Sequence, residues 1–338
     1  GGGGGVGDCC SIRKSFTRAD TTTLQVELKT MRAFVTGASG FVGNHLVAHL
    51  NSNGDTVIES TVDILDRLAI INAVTRAKPD VIYHLAAQAD VHKSWDKPVE
   101  TLRVNVEGTL NVCDAARFAG ASRLLGVTSA DIYGPVKLPR HRRRTVGLPE
   151  TTPLRPISPY AASKAAAEAI YTQAYLAHDL EIVLARSFNH LGPGQSDRFV
   201  ASALASRIAA NERDGTTTVL VGNLEARRDF TDVRDVVRAY RMLAQDGTPG
   251  ETYHVCSGRD RTIQEIAEQL VRLADFPMTL QFDPKLLRPV DLKVLRGDNT
   301  KIRTDVGWAP RIPLGVTLSD LLAYWRSNPK STKPPNRT

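Results

Sequence analysis

The sequence predicts an α/β fold: a Rossmann-type doubly wound parallel sheet with a smaller carboxyl-terminal lobe. Three observations carry the prediction. From Met31 to about Asn189, short apolar runs alternate with helical patterns, and that alternation puts helices on both faces of a parallel sheet. A glycine turn, Gly37-Ala38-Ser39-Gly40-Phe41-Val42-Gly43, lies between the first apolar run and the first helical stretch. After Gly192-Pro193-Gly194 the alternation loosens, and Pro284, Pro289, Pro310 and Pro313 divide the later part of the chain into short segments.

The expected strands are Arg32–Val35, Thr56–Glu59, Val81–Leu85, Arg123–Thr128 and Ile182–Ser187. Continuous apolar runs such as Val81-Ile82-Tyr83-His84-Leu85 suit strands covered on both faces. Helices are expected at Asn105–Ala119 and Tyr160–His178, and beyond the break near Phe199–Asn211, Asp232–Gln245 and Thr262–Ala274. The domain plan is a leader or flexible extension over 1–30, a dinucleotide-binding domain over 31–190 and a substrate lobe over 191–326, some of whose segments return to pack on the first domain. A frayed tail over 327–338 completes it. Gly1 to Gly5 form a homopolymer and Met31 directly precedes the first strand. Asp8, Asp20 and Glu27 argue against a transit peptide, and the missing apolar core excludes a secretory signal.

The 338 residues suffice for one large core or two joined lobes. With 42% hydrophobic and 23% charged residues, the composition is that of a soluble globular protein, and no apolar run approaches a membrane span. The net charge of +7 fits a basic surface or a cleft that attracts phosphates. No aromatic-basic pattern points to nucleic acid. Cys9, Cys10, Cys113 and Cys256 form no Cys-x-x-Cys pair, so neither a metal site nor a disulfide framework is expected, and a cytoplasmic location fits.

A strand, a glycine turn and a helix bring backbone N–H groups to a helix N-terminus, where a pyrophosphate is favoured. The turn therefore marks a dinucleotide site through Gly37, Ser39, Gly40, Phe41, Val42 and Gly43. Asp63 could accept from an adenine amino group with Ile64 packed on the ring; Asp63 also suits a helix N-cap. The tip of the second strand reads Glu59-Ser60-Thr61. An acidic residue there favours a free ribose diol, whereas the hydroxyls suit either form, so NAD versus NADP stays open. Leu85, Ala86 and Ala87 follow a buried strand, where small side chains allow close backbone approach.

Tyr160 and Lys164 stand four residues apart, on one helix face. An ammonium one turn away favours tyrosinate and draws the phenol from its reference of about 10 toward neutrality, and the same ammonium can hold a nicotinamide ribose. Pro159 fits a helix start. Ser129 ends a strand at the sheet's carboxyl edge, where it can bond a substrate carbonyl or cap the next turn.

Thr36–Gly43, His84-Leu85-Ala86-Ala87, Ser129-Ala130-Asp131-Ile132-Tyr133-Gly134 and Ser158–Lys164 resemble the extended short-chain dehydrogenases that act on nucleotide sugars. Arg186–Gln195, Val221–Ala226, Arg228–Asp235, Leu287-Arg288-Pro289 and Gly307–Leu314 are similar to the GDP-4-keto-6-deoxy-mannose reductase branch. The likeness runs from about Met31 to Trp325. It implies NAD(P)H as cofactor, Phe188 beside it, and a GDP-linked 4-keto-6-deoxy sugar as substrate. Tyr160 would donate the proton, Lys164 tune it and Ser129 orient the carbonyl. Arg228 and Arg288 would clamp the diphosphate, because guanidinium forks suit phosphate oxygens. Asn189 would bond the sugar-diphosphate region and Asp291 the ribose; Val221 and Asn223 would approach the nucleoside, with Asp131 and Val200 also beside substrate. A homodimer through Asn105–Ala119 and Tyr160–His178 is implied as well.

Two readings rival reduction. A 4,6-dehydratase needs an extra acid and base, and related dehydratases carry Asp-Glu or Ser-Glu after the hydroxyl residue; this chain has Ala130-Asp131. A nucleotide-sugar 4-epimerase is the other. A non-catalytic dinucleotide-binding protein is disfavoured because both Tyr160 and Lys164 are present. The run Lys137–Arg144 is unusually basic for the family and reads as a steering loop or a solvated one.

Overall fold

The computed structural model describes residues 1–3, 30–136, 147–287 and 292–328. The extension over 4–29, the whole basic run Lys137–Arg144 and the residues after 328 therefore lie outside the described residues. The first half alternates as expected: β1 (Arg32–Thr36), α1 (Phe41–Ser52), β2 (Thr56–Ser60), α2 (Arg67–Ala77), β3 (Val81–His84), α3 (Val91–Asp96), α4 (Pro98–Leu102), α5 (Gly108–Ala119), β4 (Arg123–Ser129), α6 (Pro159–His178) and β5 (Glu181–Ser187). The second half comprises β6 (Asn189–Leu191), α7 (Val200–Asp214), β7 (Thr218–Val221), β8 (Arg227–Asp232), α8 (Val233–Asp246), β9 (Thr252–Val255), β10 (Asp260–Thr262), α9 (Ile263–Arg272), β11 (Thr279–Phe282), β12 (Val294–Leu295), α10 (Thr300–Val306) and α11 (Leu314–Ser327).

Six strands form one parallel sheet in the order β2-β1-β3-β4-β5-β9. Successive side chains leave opposite faces. Val35, Tyr83, Leu125 and Val183 join the core against α1 and α8, while Phe34, Ile82, Leu124 and Ile182 join the core against α2, α5 and α6. Hence these strands are apolar without alternation. A separate core gathers Leu204, Ile208, Ile266, Leu270, Leu321 and Trp325 from α7, α9 and α11.

Several details differ from the sequence expectation. The helix expected from Asn105 begins at Gly108, after a π-helical turn over Arg103–Glu107. The cap of α2 is Asp66, whose Oδ1 accepts from Ala69 N–H at 3.0 Å, while Asp63 accepts from Leu65 N–H at 2.9 Å. Strand β9 and helix α8 come from the second half of the chain yet belong to the first core and sheet. Ser327, placed in the frayed tail, is helical.

Candidate active site

The cofactor end begins at the β1–α1 turn. Gly37 has φ +70°, and a Cβ there would lie 2.8 Å from the Ala86 backbone nitrogen; a side chain would be strained and would push the two loops apart. A Cβ on Gly43 would fall on the Gly37 carbonyl oxygen. Gly40 caps α1 without a side-chain hydrogen bond, which leaves backbone N–H groups at the cleft for an anion. The Thr36 hydroxyl bonds His84 Nδ1 at 2.8 Å and accepts from Ala86 N–H at 3.3 Å. Burial pushes the His84 imidazole down to about 3, so it stays neutral and acts as a joint between β1 and β3.

Every described glycine, serine and apolar residue expected at the turn lines one cleft of about 820 Å³, as do Leu85, Ala86, Ala87 and Phe188. Ser60, Asp63 and Ile64 do not. Ile64 is 5% exposed and packs in the core, where it faces Gly108. Ser60 Oγ accepts from Val62 N–H at 3.3 Å within its own turn.

Ser129, Tyr160 and Lys164, the expected catalytic residues, meet in the same cleft. Ser129 ends β4, and its Oγ also accepts from Asp131 N–H at 3.2 Å, capping the short helical turn Ala130–Tyr133. Of the two roles expected for this serine, the cap is the one seen here. Tyr160 occupies the first turn of α6, behind Pro159 and the Ser158 cap. It is 8% exposed, and the Ser129 side chain acts on its hydroxyl.

One expectation is corrected here. The Tyr160 phenol is not drawn toward neutrality. Burial, then the Asp131 carboxylate, push it well above its ordinary value, and the Ser129 side chain opposes them only in part. Lys164 is not among the groups that act on the phenol; its Nζ donates to the Val127 carbonyl at 3.1 Å. Burial lowers the ammonium to about 8, while Glu168 one turn on acts to raise it. A phenol protonated across neutral pH is a proton donor, which suits reduction of a ketone. A rate that needs the Lys164 cation should be flat below neutrality and fall as pH rises through about 8. A kcat/KM profile checks this; a flat profile to pH 10 contradicts it.

On the second wall, Asn189, Val200, Val221, Asn223, Arg228 and Asp131 all line the cleft. Arg228 Nη1 donates to the Leu292 carbonyl at 2.6 Å and its own strand's Arg227 carbonyl at 2.8 Å. Arg288 and Asp291 lie outside the described residues. Among the described residues no cluster of His, Cys, Asp or Glu could hold a metal, and no helix is long and apolar enough to cross a membrane.

Three residues were missed by the sequence reading. Asn105, in the π-helical turn, accepts from Gln88 N–H at 2.8 Å and donates to Ser163 Oγ at 2.9 Å, tying the loop after β3 to α6. Gln195 is buried in the cleft wall, its Nε2 donating to the His190 carbonyl at 2.8 Å. Arg207, on α7, reaches the cleft from a helix that the pattern shows only as amphipathic. A polar residue amid an otherwise apolar helix stripe was the available signal for Asn105; none marked the other two.

A parallel sheet with a glycine turn after β1 and a Ser-Tyr-Lys set at the carboxyl ends of its strands defines an extended short-chain dehydrogenase/reductase. The family model for GDP-mannose 4,6 dehydratase matches residues 58–321. The chain belongs to that family. It is 36% identical to GDP-6-deoxy-D-mannose reductase of Pseudomonas aeruginosa over 88% of this chain and 98% of that protein. It is 30% identical to UDP-glucose 4-epimerase of Mycolicibacterium smegmatis, over 88% of this chain and 99% of the relative. The structure of RMD from Pseudomonas aeruginosa complexed with NADPH superposes with a TM-score of 0.80 at 34% identity, over 88% of this chain and 99% of that one.

Proposed function

We propose that this chain reduces the 4-keto group of a GDP-4-keto-6-deoxy-hexose with hydride from NAD(P)H. The observation that carries the reading is that buried Tyr160 lines the same cleft as Ser129, with Ala130 directly after that serine. The tyrosine supplies a proton, the serine orients a carbonyl oxygen, and position 130, which is alanine, has no proton to exchange. Elimination of water needs a further acid-base group beside the serine, and of the two residues that follow it only Asp131 is titratable. The likeness to GDP-6-deoxy-D-mannose reductase supports the same substrate class, and NADPH in the RMD structure supports a nicotinamide cofactor. The roles assigned to the turn glycines, Asn189, Val200, Val221, Asn223 and Arg228 belong to this proposal. So do the two-lobe division near residue 190 and a cytoplasmic location, which the free, buried Cys113 and Cys256 suit. Nicotinamide absorbance after addition of a GDP-4-keto-6-deoxy-hexose tests it; no cofactor oxidation sinks the proposal.

The same reading includes a homodimer. Leu110 and Phe118 on α5 and Leu176 on α6 are exposed, Phe118 at 57% and Leu176 at 73%, and apolar side chains that open to water favour a partner surface. Light scattering at micromolar concentration should give twice the chain mass; a monomer contradicts it.

A further inference from the structure

Arg207 bears on how one nucleotide is told from another. It lies on α7 and lines the cleft, as do Val221, Gly222 and Leu286. Its Nη1 donates to the Leu220 carbonyl at 3.0 Å, which holds the guanidinium against the end of β7. The opposite side there is tight, because a Cβ on Gly222 would meet the Leu286 carbonyl oxygen at 2.6 Å. Among the described residues no carboxylate lies within ion-pair distance of Arg207. Asp197 and Asp283 act on it only from farther off, and burial lowers its pKa. A half-buried cation without a paired anion is costly, and a ligand rich in acceptors would offset that cost. The flanking groups, Val221, Leu224 and Leu286, are apolar, which suits a flat ring better than a phosphate.

We infer that Arg207 reads the base of the bound nucleotide, its fork donating to N7 and O6 of guanine, and so sets preference for guanine over a pyrimidine. This rests on the GDP-sugar reading. A guanidinium matches that pair of acceptors bidentately, whereas uracil offers no such adjacent pair.

Calorimetric titration of the full chain with GDP, IDP and UDP tests the inference. IDP keeps N7 and O6 but lacks the 2-amino group. The wild type should bind GDP and IDP alike, and UDP about tenfold more weakly or worse. Arg207→Ala should lose about tenfold or more on GDP and IDP and little on UDP. Arg207→Lys, which keeps the charge without the fork, should lose the same selectivity. Arg228→Ala, aimed at the diphosphate, should weaken all three ligands together. Equal weakening of GDP and UDP in Arg207→Ala, or unchanged GDP binding, overturns the inference while leaving the GDP-sugar reading intact. A wild type that prefers UDP overturns that reading and the inference with it. Unchanged NADPH affinity in each variant shows that the fold is retained.

Discussion

Tyr160→Phe is expected to lower ketone reduction by about 10²-fold or more while leaving cofactor affinity unchanged. The ring stays, so the packing at the head of α6 stays with it. What goes is the buried hydroxyl that shares the cleft with Ser129. Without it the developing alkoxide at carbon 4 has no proton donor held in place, although Ser129 can still bond the oxygen. Steady-state turnover and NAD(P)H titration of the variant separate the two effects. Wild-type turnover would remove Tyr160 from the mechanism.

Glu168→Gln is expected to destabilise the fold by about 3–5 kcal/mol, the usual cost of breaking a buried ion pair from one side. Glu168 and Arg186 pair at 2.6 Å with side chains only 9% and 6% exposed. Glu168 also accepts from the Thr128 hydroxyl at 2.7 Å, and Arg186 further bonds the Tyr133 hydroxyl and the Glu150 carbonyl. Neutralising Glu168 strands the guanidinium among groups that cannot balance its charge. It also removes the group that raises Lys164, so the alkaline fall in rate should move to lower pH. Urea unfolding reads the first effect and a pH profile the second. A stability loss under about 1 kcal/mol, the scale of an exposed pair, would show that the pair is dispensable.

Much of this was legible in the chain, for local reasons. Turn glycines, apolar strand runs and the Pro159–Tyr160 helix start are set by neighbours in sequence, and the first five strands fall within a residue of their expected bounds. The exceptions depend on distant partners. Thr252–Val255 becomes the sixth strand because Leu184–Ser187 offers an open edge to pair with, which four residues cannot announce. The π-helical turn at Arg103–Glu107 turns Asn105 toward Gln88 and Ser163, contacts invisible to a helical period. The four-residue spacing predicts that Lys164 acidifies Tyr160; burial and the Asp131 carboxylate decide otherwise, and neither can be read from that spacing. Asp63 was weighed as a cap, but the choice between it and Asp66 turned on where the first helical N–H falls.

Net hydride transfer to carbon 4 is the central claim, and deuterium follows it directly. The protein would be incubated with a GDP-4-keto-6-deoxy-hexose and NAD(P)H deuterated at carbon 4 of the nicotinamide, using cofactor labelled on each face in turn, and the sugar examined by NMR. Reduction predicts one cofactor oxidised per sugar and, with one of the two labelled cofactors, deuterium at carbon 4 of a 6-deoxy-hexose. A dehydratase or epimerase returns the hydride it removes. Conversion of a GDP-hexose with no net oxidation of added cofactor and no deuterium in the product would contradict the account.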